Sequence, residues 1–324
     1  MCGIMGYFDK TSARQAELGP TMMRLLMALG RRGPDSAGIA FYTERGDGTT
    51  ALRIKLGDDG SYATRAAEII ERVSAMVTIH DRDHQTEYLR LVVGDVDEPR
   101  ALQAAIESVD PRVEVISHGR SLEIVKQTGS PQNLDARFHL SQLSGTHAIA
   151  HTRLSTESRI DLSHSQPFWA HGSLDIASVH NGHITNYHKL RRQYEERGVR
   201  FYTENDSEII GVYLAESLAA GATFREALEG SRKKFDGSFS YLAATAGQIG
   251  FAKDRFGFKP LIVTETDDFV ALATEEHALR QAFGEEVTTY EPPPGVVRTW
   301  EVAQRTGNLE TTGSAPGVPM THAV

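Results

Sequence analysis

The sequence predicts an α+β fold in which antiparallel sheets pack against amphipathic helices. From Ser121 onward, short apolar segments of strand length are joined by tight polar turns at 246–248 and 267–268. Strands that are joined so closely must pair antiparallel. Helical periodicities interrupt these strands, and the stretch 58–118 alternates helix and strand patterns, which indicates a small α/β insertion.

The N-terminal third predicts two strands separated by a helix. Residues 2–8 form a short apolar segment typical of a buried strand. A helix opens at Gly19 and Pro20, because proline is tolerated in the first turn, and it ends at Gly30. The glycine-rich loop 32–38 then leads into an apolar strand, so its backbone can approach another group closely.

The remaining elements divide the chain into three parts. The pattern predicts helices at 62–77, 98–109, 187–197, 207–220 and from Thr223, and strands at 88–93, 113–116, 122–126, 146–151, 174–180, 238–245, 249–252, 260–264 and 269–274. The charged stretch around 80–84 is interpreted as a polar loop. We expect one main domain from 1–57 and 119–300, an insertion at 58–118 and a C-terminal tail at 301–324.

Composition excludes several classes of protein. The net charge of −9 argues against nucleic acid as the main partner, because phosphate binding needs clustered Lys and Arg. The sequence has neither a signal-peptide pattern nor an apolar run of about 20 residues, so we expect a cytoplasmic protein without a membrane partner. The single cysteine cannot form an internal disulfide or a cysteine-based zinc site, and no histidine spacing predicts a metal.

That single cysteine, Cys2, directly follows the initiator methionine. Removal of Met1 would leave a thiol and a free α-amine on one residue. An α-amine has a pKa of about 7.7–8.0, so it can act as a base near neutral pH. Such a residue combines a nucleophile with its own base, although a small residue at position 2 is also compatible with a purely structural role.

Cys2 begins an ordered series of motifs. They are Cys-Gly-Ile at 2–4, Arg-Gly-Pro-Asp at 32–35, His-Thr-Arg-Leu-Ser-Thr at 151–156, Gln-Pro-Phe at 166–168, His-Asn-Gly-His-Ile-Thr-Asn at 180–186, Glu-Asn-Asp-Ser-Glu at 204–208, and two later segments at 254–261 and 273–276. Over about 1–57 and 119–300 this series resembles the class II glutamine amidotransferases, which are N-terminal nucleophile (Ntn) hydrolases that take ammonia from glutamine. The resemblance implies a four-layer αββα sandwich of two antiparallel sheets.

The resemblance assigns catalytic roles to four residues. Cys2 would be the nucleophile, and Arg32 would order the N-terminus beside it. The side chain of Asn181 and the backbone N–H of Gly182 would form the oxyanion hole. Taken alone, Asn-Gly between apolar segments also predicts an ordinary hairpin turn.

The resemblance also assigns substrate-binding residues for L-glutamine. Arg153 would hold the α-carboxylate in a bidentate fork, with Thr156 nearby. Asp206 would meet the ammonium group, although an Asp before a helix can equally satisfy backbone donors. His180, directly before Asn181, completes this group. The chain itself is expected to carry no cofactor or metal.

The chain departs from the joined enzymes of this class, which carry a second domain that uses the ammonia. We therefore expect separate ammonia-accepting synthase subunits in a hetero-oligomer, as in glutamate-synthase-like or N-methylglutamate synthase complexes, with FMN and iron–sulfur chemistry in those partners. The insertion is a candidate docking surface. A stand-alone γ-glutamyl amide hydrolase and a non-catalytic regulatory subunit remain the alternatives.

Overall fold

The computed structural model describes residues 2–45, 48–154 and 159–302. The strands are β1 (Gly3–Asp9), β2 (Ser36–Tyr42), β3 (Thr49–Lys55), β4 (Ile79–Gln85), β5 (Tyr88–Gly94), β6 (Glu114–Gly119), β7 (Leu122–Thr128), β8 (His147–Arg153), β9 (Phe168–Trp169), β10 (Ala177–Ile184), β11 (Gly237–Thr245), β12 (Gln248–Lys253), β13 (Ile262–Glu265), β14 (Phe269–Ala273) and β15 (Val297–Glu301). The helices are α1 (Leu18–Leu29), α2 (Tyr62–Ser74), α3 (Pro99–Glu107), α4 (Pro131–Phe138), α5 (Tyr187–Glu195), α6 (Glu208–Ala219), α7 (Phe224–Lys234) and α8 (Glu276–Phe283). Within these described ranges, no helix combines the length and the apolar character needed to cross a bilayer.

Two antiparallel sheets packed face to face form the centre of the molecule. One has the strand order β13-β14-β1-β8-β2-β7, and the other has the order β15-β12-β11-β10-β9. Their facing side chains, among them Ile4, Ile149 and Leu242, are fully buried in one apolar core. Along each strand, side chains alternate between the two faces of the sheet. Each sheet therefore has a second, outward apolar face that other elements must bury.

Helices supply that cover on both outer faces. Buried side chains of α1, α4 and α8 pack with the outward residues of β1 and β8, such as Met5 and Ala150. Those of α5, α6 and α7 pack with the outward residues of β11, such as Tyr241. The molecule therefore has four layers in the order helix, sheet, sheet, helix, and the predicted α+β sandwich is confirmed.

The register of the first sheet brings three predicted motifs to the same end of its central strands. Gly3 at the start of β1 lies opposite Thr152, near the end of β8. Ser36 at the start of β2 lies opposite Arg153. Cys2 therefore lies near Arg153 and the loop that follows α1, at the end of the sheet where β1 and β2 begin and β8 ends.

A third sheet, with the strand order β4-β5-β3-β6, lies beside the sandwich. Its chain order is β3-α2-β4-β5-α3-β6, which is the split βαββαβ arrangement. We call residues 49–119 the βαββαβ module. It includes β3, which precedes the predicted insertion boundary at residue 58, and every strand pair in it is antiparallel. The division of the chain into domains itself stays a prediction.

Two interpretations from the sequence are wrong. The charged stretch around 80–84 is not a loop but the edge strand β4, whose residues from His80 to Gln85 are all exposed. The Asn-Gly pair is not a hairpin turn, because Asn181 and Gly182 lie within β10 and pair with Ser240 and Phe239.

A buried carboxylate joins the module to the sandwich. Glu123 on β7 accepts hydrogen bonds from Arg53 and Arg90 of the module, at 2.6 and 2.8 Å, and from Arg45. Burial acts to raise the pKa of Glu123, but the three guanidinium groups outweigh it and hold the pKa at about 2. The joint is therefore a compact, charged and almost fully buried contact.

Candidate active site

Cys2 is held at its backbone by two predicted site residues. Asn181 Nδ2 donates to the Cys2 carbonyl oxygen at 3.4 Å, and Arg32 Nε donates to the same oxygen at 3.3 Å. The half-buried thiol lies 3.9 Å from the carbonyl oxygen of Leu154. The structure thus brings Cys2, Arg32 and Asn181 together, although they are far apart in the sequence.

The strand that carries Cys2 is fixed by a segment to which the sequence analysis gave no role. Ile4 N donates to Thr274 Oγ1 at 2.8 Å, and Thr274 N donates to the Ile4 carbonyl oxygen at 2.9 Å. The next residue, Glu275, forms an ion pair with Arg32. The motif at 273–276 was the available signal for these contacts, and it orders both Arg32 and β1, the strand that directly follows Cys2.

Gly182 occupies a backbone position that excludes a side chain. Its φ is +134°, and a Cβ added there would lie 2.1 Å from the carbonyl oxygen of Ser238 on β11. Only glycine combines this conformation with so close a strand approach. The backbone on either side of the Gly182 amide is therefore strictly defined, which is a requirement for a fixed hydrogen-bond donor.

Arg153 lies at the end of β8, close enough to Cys2 for their charges to interact. Its guanidinium group is almost fully buried, and its Nη1 donates to the carbonyl oxygen of Arg159 at 2.9 Å. Burial lowers the pKa of Arg153, while Cys2 and the nearby acidic residues Asp161 and Asp35 act in the opposite direction. The predicted substrate-binding Thr156 lies outside the described residues.

Asp206 belongs to a second group, on the loop before α6. Its Oδ2 accepts a hydrogen bond from Ile184 N of β10 at 2.7 Å. His180 Nδ1 lies 3.8 Å from Asp206 Oδ1 and 2.7 Å from Ser207 Oγ. Asp206 therefore does not cap α6; it is bonded to the strand that carries Asn181 and Gly182.

Gln166 ties this second group together and was missed as a site residue, although its Gln-Pro-Phe motif was noted. Its Oε1 accepts from His180 N at 2.6 Å, and its Nε2 donates to His180 O and to Ser207 Oγ, both at 3.2 Å. The buried amide thus bridges β10 and the start of α6. Its role is to fix the distance between two elements that carry candidate substrate contacts.

The buried histidines of the site are neutral at physiological pH. Burial lowers the pKa of His180, and it lowers the pKa of His151 to about 3. His180 Nε2 has no hydrogen-bond partner in the part of the chain that the structure describes. A buried imidazole with a lowered pKa is a weaker proton acceptor than an exposed one.

The two groups meet at β10, where Asn181 contacts Cys2 and Ile184 contacts Asp206. A positively charged group, Arg153, and a carboxylate, Asp206, thus accompany a thiol and a candidate oxyanion donor. Among residues 2–45, 48–154 and 159–302, no cluster of three or more His, Cys, Asp or Glu side chains is arranged to hold a metal ion.

Known proteins of one family are similar to this chain. The family model described as a glutamine amidotransferase domain matches residues 151–281. A putative glutamine amidotransferase of Methanothermobacter thermautotrophicus is 38% identical over 308 residues, which cover 93% of this chain and 100% of that protein. The glutamine amidotransferase-like protein GlxB of Rhizobium meliloti is 34% identical over 304 residues, which cover 93% of this chain and 98% of that protein.

The fold is similar to that of larger proteins as well. The structure of the allosteric regulatory enzyme of purine biosynthesis superposes with a TM-score of 0.61 at 18% sequence identity. The match covers 93% of this chain and 47% of that one, so the chain spans about half of the length of the solved structure.

Proposed function

The chain belongs to the class II glutamine amidotransferases, and on that premise we propose that Cys2, freed of Met1, is the N-terminal nucleophile that hydrolyses L-glutamine. The observation that carries the proposal is the convergence of Asn181 and Arg32 on the Cys2 carbonyl oxygen, at 3.4 and 3.3 Å. Two donors from distant parts of the chain fix the backbone of a terminal residue that would otherwise be free to rotate.

The first step uses both functional groups of Cys2. The α-amine takes the thiol proton, and the sulfur attacks the side-chain amide carbon of glutamine. The tetrahedral oxyanion accepts hydrogen bonds from the Asn181 side chain and the Gly182 amide. The α-ammonium then returns its proton to the amide nitrogen, the C–N bond breaks, and ammonia leaves a γ-glutamyl thioester on Cys2.

The second step releases glutamate. The α-amine, now neutral, takes a proton from water as the water oxygen attacks the thioester carbon. The C–S bond breaks and the thiolate recovers the proton. Since the same oxyanion forms again, the same two donors serve both steps.

Substrate binding uses the charged groups on either side of Cys2. We assign the α-carboxylate of glutamine to Arg153 and Thr156, and its ammonium group to Asp206. Burial of Arg153 supports this assignment, because a guanidinium removed from water gains more from a bidentate carboxylate than an exposed one. His180 and Gln166 complete the wall next to Asp206 and define its position.

We further propose that the ammonia passes to a separate subunit. Ammonia that escapes into water is protonated and no longer a nucleophile, so an acceptor must cover the site. Leu154, whose carbonyl oxygen lies 3.9 Å from the thiol, is 38% exposed, and Phe256 and Phe258, on the loop that follows β12, are 47% and 75% exposed. The two rings stack at 5.7 Å on a loop that is bonded to Ser240, the neighbour of Asn181 on β11.

This partner would be a synthase subunit of a glutamate-synthase-like or N-methylglutamate synthase complex, with any FMN or iron–sulfur cluster in the partner and none in this chain. The names of both relatives describe glutamine amidotransferases, which supports the ammonia-releasing half of this proposal. The exposed aromatic pair then belongs to the interface rather than to the substrate pocket.

The chemistry is tested by ammonia release from L-glutamine with the Met-processed wild-type chain and Cys2→Ala. We expect loss of at least about 10³-fold in kcat for the variant, since the nucleophile cannot be replaced. Mass spectrometry establishes whether Met1 is absent. Equal ammonia release by both proteins would show that Cys2 is not the nucleophile.

The partner is tested by affinity copurification from the native host with wild type and Phe258→Ser, with Met27→Ser at an exposed position of α1, outside the βαββαβ module, as the matched control. We expect a synthase subunit with wild type and the control, and a weaker yield with Phe258→Ser. A monomer that hydrolyses γ-glutamyl amides at full rate without any partner would instead identify a stand-alone hydrolase.

A further inference from the structure

The loop that carries Asp206 is anchored at both of its ends. Glu208, the first residue of α6, accepts hydrogen bonds from Tyr202 N at 2.8 Å, from Thr203 N at 3.0 Å and from Thr203 Oγ1 at 2.9 Å. This buried carboxylate closes residues 202–208 into a compact loop. Since Asp206 lies within it, any shift of Tyr202 is transmitted to Asp206.

The side chain of Tyr202 leaves this loop and enters the βαββαβ module. Its hydroxyl donates to Glu107 Oε2 at 2.7 Å and accepts from Gln103 Nε2 at 2.7 Å. Its ring stacks on His171 with centroids 3.9 Å apart. Burial and the neighbouring Glu107 raise the pKa of Tyr202, so the hydroxyl stays a neutral donor.

The receiving residues are firmly fixed in the module. Glu107 and Gln103 are both buried on α3, and Gln103 Nε2 also donates to Glu107 Oε1 at 3.1 Å. The same oxygen accepts from Val115 N of β6 at 3.1 Å. Tyr202 is therefore bonded to a helix and, through Glu107, to the sheet of the module.

We propose that the βαββαβ module positions the glutamine site, with Tyr202 and Glu107 as positioning residues that hold the Asp206 loop; this inference rests on the proposed role of Asp206 in glutamine binding. None of the candidate catalytic residues lies in the module, yet the module fixes the group that meets the substrate ammonium. A shift of α3 on contact with a partner would change glutamine affinity without touching Cys2.

The test is the steady-state glutaminase kinetics of the full chain with Tyr202→Phe and, separately, Glu107→Gln. We expect KM for glutamine to rise about tenfold while kcat changes less than about twofold, because the nucleophile and the oxyanion donors are untouched. Glutamine affinity measured by calorimetry in a Cys2→Ala background should fall by the same factor. The combined variant should lose no more than the larger single effect, because both remove one contact.

Tyr88→Phe is the matched control. Tyr88 is a buried tyrosine of the same module whose hydroxyl donates to Lys126 O at 2.9 Å rather than to a residue of the Asp206 loop. We expect it to lower thermal stability and leave KM unchanged. An equal KM increase in Tyr88→Phe and Tyr202→Phe, or a fall in kcat alone, would overturn the inference and indicate a purely structural contact.

A second measurement does not depend on glutamine. Hydrogen exchange at the amides of residues 199–208, followed by mass spectrometry, should be faster in Tyr202→Phe and Glu107→Gln than in wild type and Tyr88→Phe. Unchanged exchange overturns the positioning role. If wild type neither binds nor hydrolyses glutamine but the exchange result holds, the proposed function fails while the structural coupling stands.

Discussion

Two buried glutamates, one at the joint with the βαββαβ module and one beside the candidate site, have pKa values that are shifted in opposite directions. Glu123 at the joint with the βαββαβ module is held at a pKa of about 2 by three arginines. Glu208 in the sandwich, beside the candidate site, has its pKa raised to about 7, because burial outweighs the hydrogen bonds from Tyr202 and Thr203. The module is attached through a carboxylate that stays ionised near neutral pH, whereas the Asp206 loop is held by Glu208, whose pKa lies close to neutral pH.

Removing the carboxylate at the joint should have the largest effect on the molecule. Glu123→Ala leaves Arg45, Arg53 and Arg90 crowded without their counter-charge, and breaking such a buried cluster typically costs about 3–5 kcal/mol. We expect urea unfolding to show a loss of stability of this size. The conservative Glu123→Gln should lose less, and a loss below about 1 kcal/mol in Glu123→Ala would mean that the joint is not structurally important.

Asn181→Ala should give the next largest effect, and in the sandwich it should affect rate rather than stability. Loss of one oxyanion donor typically lowers kcat by about 10²–10³-fold. We expect KM to change much less, since Asn181 contacts the Cys2 backbone and, in the proposed mechanism, would bind the developing charge rather than the ends of glutamine. A KM effect with unchanged kcat would move Asn181 from catalysis to binding.

Glu208→Gln tests the difference between the two glutamates through the pH dependence of protein stability. A carboxyl whose folded pKa is raised from about 4.5 to about 7 contributes stability that is fully present below pH 4.5 and is lost as pH rises through 7. Between pH 5 and 7 we expect the unfolding free energy of wild type to fall more steeply with pH than that of the variant. The two slopes should differ by up to about 1.4 kcal/mol per pH unit. Identical pH profiles would contradict the raised pKa.

The smallest effect is expected at an exposed ion pair between Asp95 of the module and Arg120, which directly follows it. Asp95 pairs with Arg120 at 2.9 Å, and both side chains are at least half exposed. Such surface pairs typically contribute about 0–1 kcal/mol, so Asp95→Ala should scarcely change the melting temperature. A loss comparable to that of Glu123→Ala would mean that charge alone, rather than burial, decides what holds the module.

The sequence predicted the sandwich better than the module for a physical reason. A strand buried on both faces, such as β1, forms a short apolar segment that differs from the polar turns around it. The edge strand β4 is exposed throughout, so its residues have no alternation to detect and resemble a polar loop. β3 of the module and β9, α4, α8 and β15 of the sandwich were not predicted either, although they have buried positions.

The same distinction holds for the candidate site. Cys2, Arg32 and Asn181 were identified from ordered motifs, and the structure brings them together. The bridging roles of Gln166 and Tyr202 depend on which elements lie side by side, which local sequence does not encode. Asn-Gly was open to interpretation as a turn because only the pairing with β11 reveals that Gly182 lies within a strand.

The exposed strand β4 has a consequence for association between copies of the chain. In an edge strand, the backbone N–H and C=O groups of alternate residues face outward. When two copies of such a strand pair antiparallel about a two-fold axis, each residue therefore lies opposite its own copy or opposite a residue an even number of positions away. A register centred on Arg82 would oppose Arg82 to itself and Asp81 to Asp83, and one centred on Asp83 would oppose Asp83 to itself. Like charges directly opposite each other are unfavourable, so the charge order of this edge resists symmetric sheet extension.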